Sequence, residues 1–296
     1  MVPLEDAFSI KFLRGNKFEY EDAHRMIKKY YKLQSNAPEL FAQIENYRPV
    51  FESNTLVMLP EIRTNTNEGI IVCTPSRWDP DNFHFDTMLG AFILIAEYAL
   101  LDQVNQITGV VVIIDMSNLT WNQVKNFGPI QAKKVINVVE DCLPIRVVKI
   151  YVINKSQIAR MSLQVIKPFV NEDISTRTKL FSDMESFHDV ISPDRLPAEL
   201  GGNRGTMRGL ELYQDLVSNR SAITRYWTSS GFGILPSGDD DEDESSPDVT
   251  QIFDDLEGKA SSIMKNISAN VKKDELMENF AKIQTNCITN FQSFFK

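Results

Sequence analysis

The stretch Ile107-Thr-Gly-Val-Val-Val-Ile-Ile-Asp115 decides the fold. It is too β-branched for a helix and too uniformly apolar for a strand with one wet face, so it reads as a buried central strand closed by an acid. The chain after it keeps alternating. A segment bearing Trp121 leads into a helix from Ile130 to Cys142, where Ile130, Val135, Val138, Val139 and Cys142 recur at helical spacing. Pro144 introduces a second strand, Ile145 to Ile153. A helix over 156–170 follows, with Ile158, Met161, Val165 and Phe169 along one side and Arg160, Gln164 and Lys167 between them. Pro168 breaks it near its end and leaves a weak C-terminus, as a movable gate requires.

Upstream, 4–46 carries a helical pattern, with Phe18, Ala23, Met26, Ile27, Tyr30 and Tyr31 as the apolar stripe and Lys28, Lys29 and Lys32 as the wet face. Strands are expected from Leu56 to Leu59 and from Gly69 to Trp78. A long helix runs from about His84 to Val104, with Met88, Leu89, Phe92, Ile95, Ala99 and Leu100 forming an unusually broad stripe. Such a helix must be covered on more than one side, by the sheet, another helix or a bound ligand. The expected fold class is α/β: an N-terminal helical lobe, then a mixed, largely parallel sheet flanked by helices with a mobile gate helix. The expected divisions are 1–50 for the helical lobe, 51–205 for the α/β domain and 206–235 for a closing segment with a helix over 207–228.

Residues 236–248 form an acidic linker whose six consecutive acids, Asp239 to Glu244, favour disorder. The tail 249–296 carries Ile252, Leu256, Ile263 and Ile267, then Leu276, Phe280, Ile283, Cys287, Phe291 and Phe294, at helical spacing. Two amphipathic helices are expected there. They fold back on the body or pair with each other, or else dock on a protein partner or a membrane surface.

A chain of 296 residues with 43% apolar content has ample material for a core. Of its net charge of -9, residues 237–296 carry -7, so the body is nearly neutral and a nucleic-acid footprint is absent. Cys73, Cys142 and Cys287 lie far apart, which argues for a reducing compartment. No apolar stretch reaches spanning length, and the opening residues lack the basic start and apolar core of a signal peptide. A cytoplasmic protein is expected. Histidine occurs only at 24, 84 and 188, with no metal-ligand spacing, and neither a G-x-S-x-G elbow nor a phosphate-cradling G-x-x-x-x-G-K-[ST] loop is present. Gly201-Gly-Asn-Arg-Gly205 follows Leu196-Pro-Ala-Glu-Leu200 rather than a strand and reads as a turn. Neither an enzyme nor a metal protein is expected.

The pieces Phe12-Leu-Arg-Gly-Asn-Lys-Phe18, Tyr30-Tyr-Lys32, Trp78-Asp-Pro80, Gly109 to Asp115, Ala132-Lys-Lys134, Ile153-Asn154, Ile166-Lys-Pro-Phe169 and Leu196-Pro-Ala-Glu-Leu-Gly-Gly202 agree in order and spacing with one family over roughly residues 8 to 205. On them the chain resembles the CRAL-TRIO lipid-binding family, most closely the branch of alpha-tocopherol transfer protein, cellular retinaldehyde-binding protein and the clavesins. The resemblance implies a non-enzymatic carrier of one hydrophobic small molecule, a tocopherol, retinoid or similar, with no cofactor besides that ligand. The carrier would associate transiently with membranes, and the alternative is a clavesin-like phosphoinositide-binding trafficking adaptor.

Carried over by position, the resemblance puts pocket walls at Phe92 and Ala96 on the long helix and at Ile114 on the central strand. Leu119, Val135, Val138, Val139, Leu143, Ile145 and Ile150 complete them, with Ile158, Met161, Val165 and Phe169 on the gate. The tocopherol-type pattern has small hydroxyl residues at the positions of Phe92 and Ala96, so a more apolar or differently shaped ligand is implied. Phosphoinositide headgroups are implied at Arg146 and Arg177. Val148 and Asp173 depart from the basic pattern, and Lys149, Lys167 and Lys179 lie close in sequence as substitutes.

Overall fold

The computed structural model describes residues 6–154, 158–160, 163, 170–225 and 227. The amphipathic start of the chain forms α1 (Asp6–Gly15) and α2 (Tyr20–Asn36). Their stripes meet through Phe8, Phe12, Tyr30 and Tyr31, whose ring centroids lie 4.8 to 6.1 Å apart in tilted, stacked and edge-on pairs. Two 3-10 turns lead to α3 (Arg48–Glu52).

A five-stranded sheet follows: β1 (Leu56–Arg63), β2 (Gly69–Cys73), β3 (Val110–Asp115), β4 (Val147–Ile153) and β5 (Thr178–Leu180), in that spatial order. Only β1 and β2 are antiparallel; β2 through β5 run parallel. The β-branched run is therefore central, as its composition requires. Strands added successively in one direction by right-handed crossovers carry all their connecting helices on one face. Those connections hold α4 (Phe85–Ala99), α5 (Gln103–Thr108), α6 (Trp121–Asn126) and α7 (Pro129–Ile136), and then a π-helix at Asn137–Cys142.

Several boundaries differ from the sequence expectation, each for a local reason. Ile107 and Thr108 belong to α5 rather than to β3, because Asp102 caps a new helix by accepting from the Val104 N–H. That helix ends at Gly109, whose φ of +82° and whose approach to the Arg146 carbonyl, 2.6 Å from where a Cβ would stand, leave room for glycine alone. The long helix accordingly stops at Ala99, and β2 stops at Cys73 ahead of a 3-10 turn at Pro75–Arg77. β4 starts at Val147, two residues after Ile145.

Two short helices bracket β5 in the chain. The first, α8 (Glu172–Arg177), immediately precedes β5, and α9 (Met184–His188) follows it. Tyr151 meets Phe181 and Phe187 edge-on at 5.4 and 6.3 Å, so the returning segment covers the sheet face opposite the crossovers. Residues 207–228 hold α10 (Gly209–Ser218) and α11 (Arg220–Ile223) in place of the single expected helix. One hydrophobic core runs from Phe8 to Ile223, uniting the N-terminal helices with the sheet. The gate segment is described only at 158–160, 163 and 170, and the acidic linker and tail lie outside the described residues.

Burial sets an alkaline limit on this fold. It pushes the pKa of Cys73 and Tyr47 up to about 12 and that of Cys142 up to about 11, and raises that of Tyr30 well above 10. Each group keeps its proton longer when folded than when unfolded. The stability this contributes is complete below the ordinary values of 9.0 for the thiols and 10.0 for the phenols, and is lost as pH rises past them. The free energy of unfolding, measured in urea, should therefore fall from about pH 9 upward, by at most roughly 1.4 kcal/mol per group per pH unit. Tyr47→Phe should flatten the decline above pH 10.

Candidate functional site

Register and accessibility together divide the sheet into two unlike faces. Cys73, Ile114, Val152 and Leu180 pair across four strands and so share a face, with Ile71, Val112, Ile150 and Thr178 in the adjacent row. On the opposite face Ile70, Val72, Val111, Ile113 and Ile153 are 0 to 1% exposed. These positions are sealed, whereas Lys149 and Lys179 on the same face are exposed. On the crossover face Cys73, Val112, Ile114, Ile150 and Leu180 remain half-buried although all are apolar and lie well inside the fold.

The helices above this face show the same property. Met88 and Phe92, one turn apart on α4, are half-buried, as are Phe127, Val135 on α7 and Val139 on the π-helix. Ile150 packs both on the main core and on a smaller cluster of Met116, Leu119, Val124, Val152 and Ala159, which Ile114 and Ile158 also join. These incompletely covered side chains belong to the central strands and to the elements crossing over them. The π-helix widens the last turn of the α7 segment, a deviation that often marks a functional site.

Cys73 adds an independent indication. Its thiol is pushed up to about 12, first by burial and second by the Asp115 charge, yet part of the residue stays accessible. It pairs with Ile114, so its accessible part faces the space above the half-covered side of the sheet. In a variant whose only cysteine is Cys73, a small apolar thiol reagent should react slowly, because so little thiolate forms. A bound hydrophobic molecule should slow it by a further factor of about ten. Equal rates with and without such a molecule would place Cys73 outside the space.

The expected wall residues divide accordingly. Phe92, Ile114, Val135, Val139, Ile150 and Ile158 are half-buried. Ala96, Leu119, Val138, Leu143 and Ile145 are at most 6% exposed and packed in the core. Met161, Val165 and Phe169 lie outside the described residues. Met88, Val112, Phe127 and Cys73 have the wall's character but were not expected there. Helical spacing from Phe92 points to Met88, and strand alternation from Ile114 points to Val112.

The basic positions are dispersed. Arg177 spends its guanidinium inside the protein: Nη2 meets Glu140 at 2.5 Å and Asp173 at 3.2 Å, while Nη1 donates to the Val147 carbonyl at 2.7 Å. Arg146 is half-buried ahead of β4. Lys149 is exposed and pairs with Val111, which puts it on the face opposite Ile150. Lys179 is exposed with its ammonium 4.7 Å from the Phe181 ring centre, and Lys167 lies outside the described residues. Among the described residues no group of three or more His, Cys, Asp or Glu is placed to hold a metal ion, and no helix is long and apolar enough to cross a membrane.

Comparison with known proteins adds three findings. The family model described as "CRAL/TRIO domain" matches residues 54–202. The chain is 33% identical over 208 residues to the Homo sapiens "Alpha-tocopherol transfer protein-like", covering 69% of this chain and 60% of that protein. It is 28% identical over 204 residues to Xenopus laevis "Clavesin-1", covering 67% and 61%. The chain thus spans about 60% of the length of the curated relatives it matches. The crystal structure of Sfh5 superposes with a TM-score of 0.47 at 14% identity, over 73% of this chain and 82% of that one.

Proposed function

Because this chain belongs to the CRAL/TRIO domain family, we propose that it is a non-enzymatic carrier that holds one small hydrophobic molecule and exchanges it at membranes. The observation that carries this reading is the row of apolar but half-covered residues Cys73, Val112, Ile114, Ile150 and Leu180 on one sheet face, against the fully buried Ile70, Val72, Val111, Ile113 and Ile153 on the other. Half-covered apolar surface inside a fold is costly unless something apolar fills it. Moving a lipid of about 20 methylenes into water costs on the order of 16 kcal/mol at about 0.8 per methylene, so escape from a bilayer needs such a shelter. The wall we assign is Phe92, Ile114, Val135, Val139 and Ile150, with Ile158 and the 156–170 segment as its gate.

The working cycle follows from these parts. The gate opens at a membrane, where its apolar side exchanges protein contacts for lipid, and shuts in water over the loaded ligand. We place the carrier in the cytoplasm with transient membrane contact, and assign the C-terminal segment to contacts with the body, a membrane or a protein partner. The ligand is a tocopherol-, retinoid- or similarly sized lipid, and no resident cofactor is needed. A clavesin-like phosphoinositide adaptor is the lesser reading, because the Arg177 donors are occupied by Glu140 and Asp173 and Lys149 faces away from the apolar wall.

The test is an organic extract of the purified full chain, analysed by mass spectrometry, together with transfer of the recovered lipid between donor and acceptor vesicles. One equivalent of lipid that moves between vesicles supports the carrier. Folded protein that neither yields nor takes up a hydrophobic molecule removes it. Binding that depends on phosphoinositide in the vesicles, without transfer, selects the adaptor.

A further inference from the structure

A second, chemically opposite cleft of about 410 Å³ opens at the carboxyl ends of β2 and β3. Open parallel sheets commonly bind ligands outside the carboxyl ends of their strands. The lining contains only polar residues, so this cleft is no extension of the apolar wall and the inference does not rest on the carrier reading.

Its groups fall into two sets. The two carboxylates are already engaged. Asp115 accepts from the Ser117 N–H and hydroxyl at 3.0 Å each and from the Asn154 amide at 2.9 Å, and Glu199 accepts the Met207 N–H at 3.0 and 3.1 Å. The donors are less fully engaged. Thr74 is 3% exposed and its hydroxyl has no hydrogen-bond partner, the situation that most demands explanation in a folded protein. The Arg77 guanidinium reaches Glu199 only at 4.0 Å, beyond hydrogen-bonding range. Ser76 and Asn118 line the same space.

Ser76 and Asn118 beside one loosely paired guanidinium favour an acceptor-rich ligand, since charge-assisted contacts to oxyanions are the strongest such groups can make. The neighbouring Asp115 and Glu199 charges oppose a ligand with two or three negative charges. We propose that the cleft is a binding site for a small oxyanion carrying one negative charge, in the simplest case a carboxylate held by Arg77 with Ser76 and Asn118. Its lining residues are all polar, so the site is expected to read the head group and not a chain attached to it.

Acetate, octanoate and citrate, titrated into the full chain and followed by amide chemical shifts, test this. Acetate should produce saturable shifts at residues 74–77 and 115–118, and octanoate should bind there no more tightly than acetate. Citrate should bind more weakly. Arg77→Gln should weaken acetate binding about tenfold and Ser76→Ala about threefold, with unfolding midpoints unchanged. An absence of saturation, equal affinity in Arg77→Gln, or citrate binding tighter than acetate would each overturn the proposal. Octanoate outcompeting acetate at these residues would overturn the head-group reading and assign the cleft to a lipid. Should Arg77→Gln fail to fold, Ser76→Ala and Asn118→Ala decide.

Discussion

Glu97→Ala should destabilise the protein by about 3–5 kcal/mol, the range found when one partner of a buried ion pair is removed. Glu97 lies on α4 at 4% exposure, and its carboxylate accepts from the Lys11 ammonium at 2.7 Å and from the Tyr30 hydroxyl at 2.8 Å. Lys11 is itself 5% exposed, with the Phe8, Phe12 and Tyr30 ring centres 4.9, 5.5 and 5.7 Å from its nitrogen. Truncation to alanine leaves a cation and a phenol buried without their carboxylate. The effect should be larger than that of the double change Glu97→Ala with Lys11→Met, because the second substitution removes the stranded charge. Urea unfolding of the three variants measures this directly. A single variant no less stable than the double one would show that Lys11 finds water or another partner when Glu97 is gone.

That network also shows why part of this fold is invisible in the sequence. Lys11 and Glu97 are 86 residues apart and each reads as an ordinary wet position on an amphipathic helix. Only the docking of α1 and α2 on α4 buries them together. The central strand, by contrast, is legible because β-branched composition over 110–115 is itself the cause of a strand buried on both sides. β5 is three residues long and carries no periodicity of its own; it exists because Ile150 to Val152 offer it a parallel partner. The π-helix is equally hidden, since Val135, Val138, Val139 and Cys142 satisfy ordinary helical spacing up to the turn where the winding changes.

The expected wall is a group of apolar positions, and sequence spacing does not separate the fully packed ones from the half-covered ones. Periodicity assigns Val138 and Val139 to the same amphipathic surface, whereas the structure buries the first to 1% and leaves the second half-covered. Arg177 illustrates the same limit. A guanidinium at Arg177 looks available in sequence, and only tertiary structure brings Glu140 across to occupy it.

Val139→Trp and Val138→Trp should therefore have opposite consequences, although the residues are neighbours. At Val139 the indole enters space that the carrier reading reserves for the ligand. Lipid recovered from the purified protein should fall to roughly a tenth of the unmodified level, while stability changes by less than about 1 kcal/mol, because filling a void adds contacts without displacing any. At Val138 the indole has no such space. It must displace Leu143 and the surrounding core, and overpacking of that kind costs about 1–3 kcal/mol or more. Extraction and urea unfolding on both variants separate wall from core. Full lipid loading in Val139→Trp would mean that the half-covered face of the sheet is closed by protein, and that the ligand space lies elsewhere.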